Sequence, residues 1–123
     1  MSDDLAYAVG RLRNAATGLP EVEEGTSYGT PALKVRKKLL CRVKDPDTVV
    51  LMCPLEEKEL LMAAAPDIYF ETDHYKGWPA VLVRIRAISD DEFAHRLALT
   101  WRSQAPKKLV QSLGSRADTS QAG

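Results

Sequence analysis

The residues best suited to binding chemistry are the cations of one segment, residues 33–44. This segment holds six of the seventeen Lys and Arg residues, contains no Asp or Glu, and has an apolar residue at almost every second position. Such alternation predicts a β-hairpin with one apolar face and one basic face, and we place its turn at Lys37 and Lys38. The residues predicted to face inward are Leu33, Val35, Leu39, Cys41 and Val43. Those predicted to face outward are Lys34, Arg36, Arg42 and Lys44.

The basic face of this hairpin has two interpretations. Several cations on one face of a two-stranded ribbon could follow a phosphate backbone or enter a major groove. Alternatively, the cations form a solvated face, since charged strand edges keep sheets from pairing with one another. The residues alone leave both interpretations open.

A second group of candidate binding residues lies between His74 and Arg86. The run from Ala80 predicts a strand on which Arg84 and Arg86 share one face, which gives a second basic edge. Just before it, Tyr75 and Trp78 flank Lys76 in a loop and could form a stacking platform for bases or for a flat ligand. The alternative is that this aromatic pair covers the core, because only 7% of the residues are aromatic.

Residues that could support catalysis or hold a metal are sparse. His74 follows Asp73, but adjacent residues on an extended chain point to opposite faces, so we expect a structural histidine rather than an acid–base pair. His95 is expected on the exposed side of a helix. Cys41 and Cys53 are expected to be reduced thiols in the core. With no phosphate-binding loop and no nucleophile motif, we expect a protein that is not an enzyme and has no cofactor and no metal.

The composition describes an ordinary globular domain. The 123 residues contain 17 Lys and Arg against 17 Asp and Glu, so the net charge is zero and implies nothing about partners by itself. No stretch approaches the ~20 apolar residues that a membrane helix needs. The acidic start, without an apolar run, argues against secretion, and we expect a cytoplasmic protein. The sequence leaves the oligomeric state open, with a monomer favoured. We place a single domain at residues 1–110 and a disordered tail at residues 111–123.

Hydrophobic periodicity and local signals predict an α+β fold, an antiparallel sheet with three main helices packed on it. The first helix begins near Ser2 and ends before Gly18 and Pro20. Residues 48–53 are apolar on both faces and predict a central strand. A second helix follows Pro54, with a buried side at Leu60, Leu61, Ala64 and Ala65. A third begins at a capping box formed by Ser89 and Glu92.

Several motifs, in order and spacing, resemble the MmcQ/YjbR-like family from the first helix to about Val110. The motifs are Leu19–Val22, Gly25–Leu33, Cys53-Pro54, Thr72–Arg84, and Ala98–Arg102 followed by Ala105-Pro106. The resemblance implies a compact α+β domain that binds DNA through a pair of β wings, the double-wing arrangement. It also implies that the hairpin from Lys34 to Lys44 is one wing, and that the His74–Trp78 loop with the strand ending at Arg86 belongs to the other.

The resulting hypothesis is a DNA-binding protein whose contacts are mostly to phosphate and whose two basic segments converge on one exposed surface. The residues expected to contact nucleic acid are Lys34, Arg36, Lys37, Lys38, Arg42, Lys44, Lys76, Arg84 and Arg86, with Tyr75 and Trp78 as stacking residues. The alternative hypothesis is a small-molecule or protein-binding module that uses a cleft between the Tyr69–Trp78 loop and the sheet. A steep salt dependence would distinguish the first hypothesis from the second.

Overall fold

The computed structural model describes residues 2–112, with side chains from residue 5 onward, so residues 113–123 of the predicted tail (111–123) lie outside this range. The chain forms one six-stranded antiparallel sheet in the order β1-β2-β3-β4-β6-β5. The helices and strands are α1 (Ser2–Ala15), β1 (Val22–Ser27), β2 (Thr30–Val35), β3 (Lys38–Asp45), β4 (Thr48–Met52), α2 (Leu55–Ala64), β5 (Tyr69–Phe70), β6 (Ala80–Arg84) and α3 (Asp90–Gln104). A short 3-10 helix spans Asp73–Tyr75, and residues 107–112 are helical. The predicted α+β class and the central position of β4 are confirmed.

The three main helices cover one face of the sheet and form the principal core with it. Alternate strand residues such as Val43, Val49 and Val83 pack in this core with Leu12 of α1 and Trp101 of α3. All of them are at most 2% exposed. Burial of this apolar surface is the main stabilising contribution to the fold.

The opposite side of the sheet, which we call the open face, has a smaller apolar cluster. Arg42, Val50 and Leu82 are cross-strand partners on this side. The loop of residues 71–79 folds over part of it, and Tyr75 packs with Val50 and Leu82. The rest of the open face is therefore available to solvent or to a ligand.

The basic hairpin forms as predicted, but its turn and its register differ from the prediction. Arg36 and Lys37 occupy the turn, one residue earlier than expected, and both have positive φ, 48° and 71°. These values match the two-residue turn that suits the twist of a hairpin. A bulge after Leu39 then places both Leu40 and Cys41 in the principal core, while Leu39 pairs with Lys34 on the open face. The prediction that Leu39 faces inward was therefore wrong.

Two further local predictions need correction. In α2, Leu60 is 71% exposed, whereas Lys58 is 1% exposed, so the predicted buried side of this helix was partly wrong. At the start of α3, the Ser89 hydroxyl accepts a hydrogen bond from the Glu92 amide at 3.1 Å, as expected. The Glu92 carboxylate, however, accepts a hydrogen bond from the Tyr69 hydroxyl. Glu92 therefore connects α3 to β5 instead of completing a capping box.

None of the helices within residues 2–112 has the length and apolar character needed to cross a bilayer.

Candidate binding surfaces

The two predicted basic segments do not converge on one surface. Arg84 pairs with Thr48, which in turn pairs with Asp45 at the far end of β3 from the hairpin turn. Since β3 has eight residues, Arg84 and the hairpin turn are roughly 20 Å apart along the sheet. The expectation of a single patch was therefore wrong, although the individual cations remain candidates for phosphate contacts.

Arg84 and Arg86 also point to different sides of the molecule. The Arg84 guanidinium lies 4.0 Å from the ring centroid of Phe70, which packs on the open face. The Arg86 guanidinium lies 4.4 Å from the ring centroid of Tyr7 on α1, in the helical layer. The prediction that these two arginines share a face was wrong because β6 ends at Arg84 and the chain turns before Arg86.

Carboxylates lie beside three of the nine predicted cations. Arg36 forms two hydrogen bonds with Glu21, which lower the pKa of that carboxyl and raise the pKa of the guanidinium. Arg86 is 2.6 Å from a carboxylate oxygen of Asp47. Lys44 is 3.9 Å from Asp45. These pairs are solvent-exposed, so each adds little to stability, but each reduces the local positive potential.

The other predicted lysines have different neighbours. Lys34 lies on the open face, opposite Glu23 of the edge strand β1. Lys76 is exposed in the 71–79 loop. Lys37 and Lys38 are exposed at the hairpin turn. Within residues 5–112, none of these four lysines has a carboxylate oxygen within 4.0 Å.

A cluster of cations at one end of the molecule, which we call the basic end, is better defined than the predicted patch. It consists of Arg36, Lys37, Lys38, Lys107 and Lys108. Arg36, Lys107 and Lys108 line one shallow cavity of about 440 Å³. Gln104 at the end of α3 donates a hydrogen bond to the Leu39 carbonyl at 3.4 Å, which holds this region beside the hairpin.

Sequence reasoning missed Lys107 and Lys108, although one signal was present. Residues 101–112 contain no Asp or Glu, like residues 33–44. The fold brings these two carboxylate-free segments together. Across the described residues, Glu21 is the carboxylate that pairs with a member of the basic end.

The open face carries the second candidate site, a cleft of about 250 Å³ between the sheet and the 71–79 loop. We call it the open-face cleft. It is lined by Tyr28, Leu39, Arg42, Val50, Met52, His74, Tyr75, Trp78 and Ala80. The cleft predicted beside this loop is therefore present, but Tyr69 faces the principal core and is not part of it.

Arg42 lies in this cleft and is held by neutral groups. Its Nη2 donates to the Tyr75 hydroxyl at 2.7 Å and its Nη1 donates to the Thr30 hydroxyl at 3.2 Å. The guanidinium carbon is 5.1 Å from the ring centroid of Tyr28, a cation–π distance. No carboxylate of the described chain forms an ion pair with Arg42. Its positive charge is therefore oriented but not neutralised.

The two predicted stacking residues have different environments. Tyr75 is 6% exposed and packs in the open-face cluster, so it covers apolar surface, as the alternative interpretation proposed. Trp78 is 46% exposed and stacks on His74, with ring centroids 5.7 Å apart and planes inclined by 28°. Trp78 thus keeps a ring available at the edge of the cleft.

Tyr28 was not singled out from the sequence, yet it stands at the mouth of the cleft. Its φ of 53°, with 76° at Gly29, matches the two-residue turn that joins β1 to β2 between Ser27 and Thr30. The residue is 83% exposed, although it is large and aromatic. The turn between β1 and β2 therefore holds an exposed aromatic ring at the mouth of the cleft.

A buried lysine fixes the loop that forms one wall of the cleft. Lys58 Nζ donates to the carbonyl of Tyr75 at 2.7 Å and to the carbonyl of Trp78 at 3.0 Å. It also forms an ion pair with Glu71 at 2.7 Å. All three ammonium donors have acceptors, so the buried charge is satisfied. No sequence signal marked Lys58, since a lysine on a helix is usually exposed.

The cysteines are buried and unpaired. Burial raises the pKa of Cys41 to about 12 and that of Cys53 to about 11, so both are neutral thiols at ordinary pH. Within the described residues, no group of three or more Cys, His, Asp or Glu side chains could hold a metal ion.

Comparisons with known proteins identify the family of this chain, but the relatives that match are uncharacterized. Uncharacterized protein Mb2600 of Mycobacterium bovis and the uncharacterized proteins MT2646 and Rv2570 of Mycobacterium tuberculosis are each 44% identical to this chain over 55 residues. The match covers 45% of this chain and 43% of each relative, so it spans less than half of their length. No solved structure matches. The YjbR family model matches residues 17–103, and the chain belongs to the YjbR family.

Proposed function

We propose that this protein is a non-enzymatic DNA-binding protein that contacts backbone phosphates through the basic end. The observation that carries the proposal is the meeting of two carboxylate-free segments, residues 33–44 and 101–112, at one end of the molecule. This surface replaces the wider one expected from the sequence. Arg84 and Arg86 are not part of it.

Local charge rather than net charge determines how strongly the basic end attracts a polyanion. The molecule is neutral overall, and among the described residues Glu21 is the carboxylate that pairs with the basic end, through Arg36. A group of lysines without acidic partners produces a positive potential that attracts polyanions at low salt. Lysine ammonium groups at the exposed hairpin turn can reach phosphate oxygens as point charges, which gives affinity without sequence preference.

Lys34 and Lys76 flank this surface and add to it. Loop 71–79 precedes Ala80, which pairs with Met52 at the same end of the sheet as the hairpin turn. Lys76 is exposed in that loop. A duplex lying across the hairpin turn could therefore extend toward Lys76, while it would be about 20 Å from Arg84.

The test compares two double variants with equal changes in charge. We expect Lys37→Gln/Lys38→Gln to weaken binding of a short DNA duplex, measured by fluorescence anisotropy between about 50 and 200 mM salt. The slope of log K against log salt should become shallower by roughly 1.8, since each phosphate contact contributes about 0.9. The control, Arg84→Gln/Arg86→Gln, should retain the wild-type slope.

Two outcomes would refute the proposal. One is that wild-type protein fails to bind duplex even at the lowest salt concentration. The other is that the control variant loses as much of the salt dependence as the hairpin variant does. Denaturation curves of both variants check that the fold is intact, and exposed lysines at the turn are expected to change stability by less than about 0.5 kcal/mol.

A further inference from the structure

The open-face cleft has features that a phosphate-contacting surface does not require. Of the described residues that line this cleft, one, Arg42, carries a permanent charge. Two of its five N–H donors bind Tyr75 and Thr30, which leaves three for another acceptor. These neutral partners hold the guanidinium in place without removing its charge.

The remaining walls of the cleft are apolar and aromatic. Leu39, Val50, Met52 and Ala80 supply apolar surface from the sheet, and Trp78 and Tyr28 present rings at the edges. Pockets with mostly apolar walls and a few placed polar groups are typical of small-molecule sites. A ligand that matches both the Arg42 guanidinium and the apolar walls has a flat ring and one anionic group.

The volume of the cleft and the single charge of Arg42 limit the class of ligand that can bind. The volume of about 250 Å³ lies below the range of about 300–1,000 Å³ that is usual for drug-sized ligands, so a single ring fits better than a fused or extended system. A phosphate monoester carries a charge of about −1.5 to −2, which one guanidinium does not balance. A carboxylate carries one charge and matches the planar donor pattern of arginine.

We infer that the open-face cleft binds a single-ring aromatic carboxylate, with the carboxylate on Arg42 and the ring against Trp78. This site is separate from the basic end, and it does not depend on the proposed DNA binding. Lys58 favours such binding because it fixes the loop carbonyls of Tyr75 and Trp78 before a ligand arrives. Tyr28 contributes by keeping its ring over the Arg42 guanidinium at the mouth of the cleft.

The test uses benzoate as the probe and the two indole N–H signals of the protein as reporters in two-dimensional NMR. We expect benzoate to shift the Trp78 indole signal in a saturable way. The Trp101 indole, buried and bonded to the Pro20 carbonyl at 2.9 Å, should not move. Benzamide, which has the same shape and no charge, should bind about tenfold or more weakly, because it lacks a charge-assisted hydrogen bond.

Variants give an independent comparison. Arg42→Gln should weaken benzoate binding about tenfold or more, whereas Lys44→Gln, with the same change of charge on the same strand, should have little effect. Lys37→Gln/Lys38→Gln should retain benzoate binding. If benzoate leaves the Trp78 signal unchanged, or if benzamide binds equally well, the inference is wrong. The comparison of the two probes uses wild-type protein and so remains decisive even if the Arg42 variant does not fold.

Discussion

Cys41 shows how one buried ionisable group makes stability depend on pH. It is fully buried in strand β3, where ionisation would place an unpartnered charge in the core. In the unfolded chain the thiol has a pKa of about 8.5, whereas burial raises the pKa to about 12 in the folded protein. Below the unfolded pKa the thiol is neutral in both states. Above it, ionisation favours the unfolded chain.

We therefore expect Cys41 to lower the free energy of unfolding progressively as the pH rises from about 8.5 toward 12. The stability difference between wild type and Cys41→Ala, measured by urea denaturation, should shrink by about 2 kcal/mol between about pH 8 and pH 10. Val43→Ala is a control on the same strand, buried but without a titratable group. Its difference from wild type should not change with pH. A constant difference for Cys41→Ala would contradict the expectation.

Single residues of the basic hairpin show which local details could not be predicted from the sequence. The alternation of residues 33–44 correctly predicted a hairpin, but the turn lies at Arg36 and Lys37, one residue earlier than predicted. Both residues adopt positive φ, and the sequence did not mark the turn because neither is a glycine or an asparagine. The bulge at Leu40 depends on packing against the helices, which no local pattern encodes.

Among the elements, α2 shows how tertiary contacts override a helical pattern. Its apolar residues suggested a buried side that includes Leu60, but the position that the fold buries is Lys58, between α2 and the 71–79 loop. The loop offers two carbonyls and a carboxylate, so a charged side chain is stabilised where an apolar one was expected. The long-range partners of Lys58 could not be read from the helix alone.

We expect Lys58→Met to lower the free energy of unfolding by about 2–3 kcal/mol, because it leaves loop carbonyls and Glu71 without their donor. Amide hydrogen exchange in residues 71–79 should accelerate as well, since this loop loses its connection to α2. Lys76→Met is the matched control, an exposed lysine in the loop itself, and should change stability by less than about 0.5 kcal/mol. Equal effects of the two variants would show that Lys58 does not anchor the loop.

On the scale of the whole molecule, the sheet order was beyond sequence reasoning, and it determines which cations meet. Local signals identified α1, the hairpin, β4 and the start of α3. They could not show that β6 pairs with β4, which places Arg84 and Arg86 away from the hairpin turn. Nor could they show that α3 returns to the hairpin and brings Lys107 and Lys108 beside Arg36. The sequence therefore predicted the hairpin cations of the basic end, but it paired them with Arg84 and Arg86 instead of Lys107 and Lys108.

The two edges of the sheet determine whether copies of the molecule can associate by strand pairing. Strand β5 has only two residues, which leaves little backbone for pairing. Strand β1 is longer, but it exposes Glu23, Glu24 and Gly25 along its middle. Arg13 forms an ion pair with Glu24, whereas Glu23 has no cation within 4.0 Å among the described side chains. An unneutralised negative charge such as that of Glu23 on an edge strand disfavours pairing with an identical strand, because like charges would then come close together.

We therefore expect the protein to be a monomer, with a sedimentation coefficient that does not change with protein concentration. Glu23→Val should make β1 more apolar and less charged, and should cause association that increases with concentration. Glu59→Val, the same substitution at an exposed position of α2, is the control and should leave the protein monomeric. Association of wild-type protein, or of both variants alike, would show that the charge of the β1 edge is not what keeps the molecules apart.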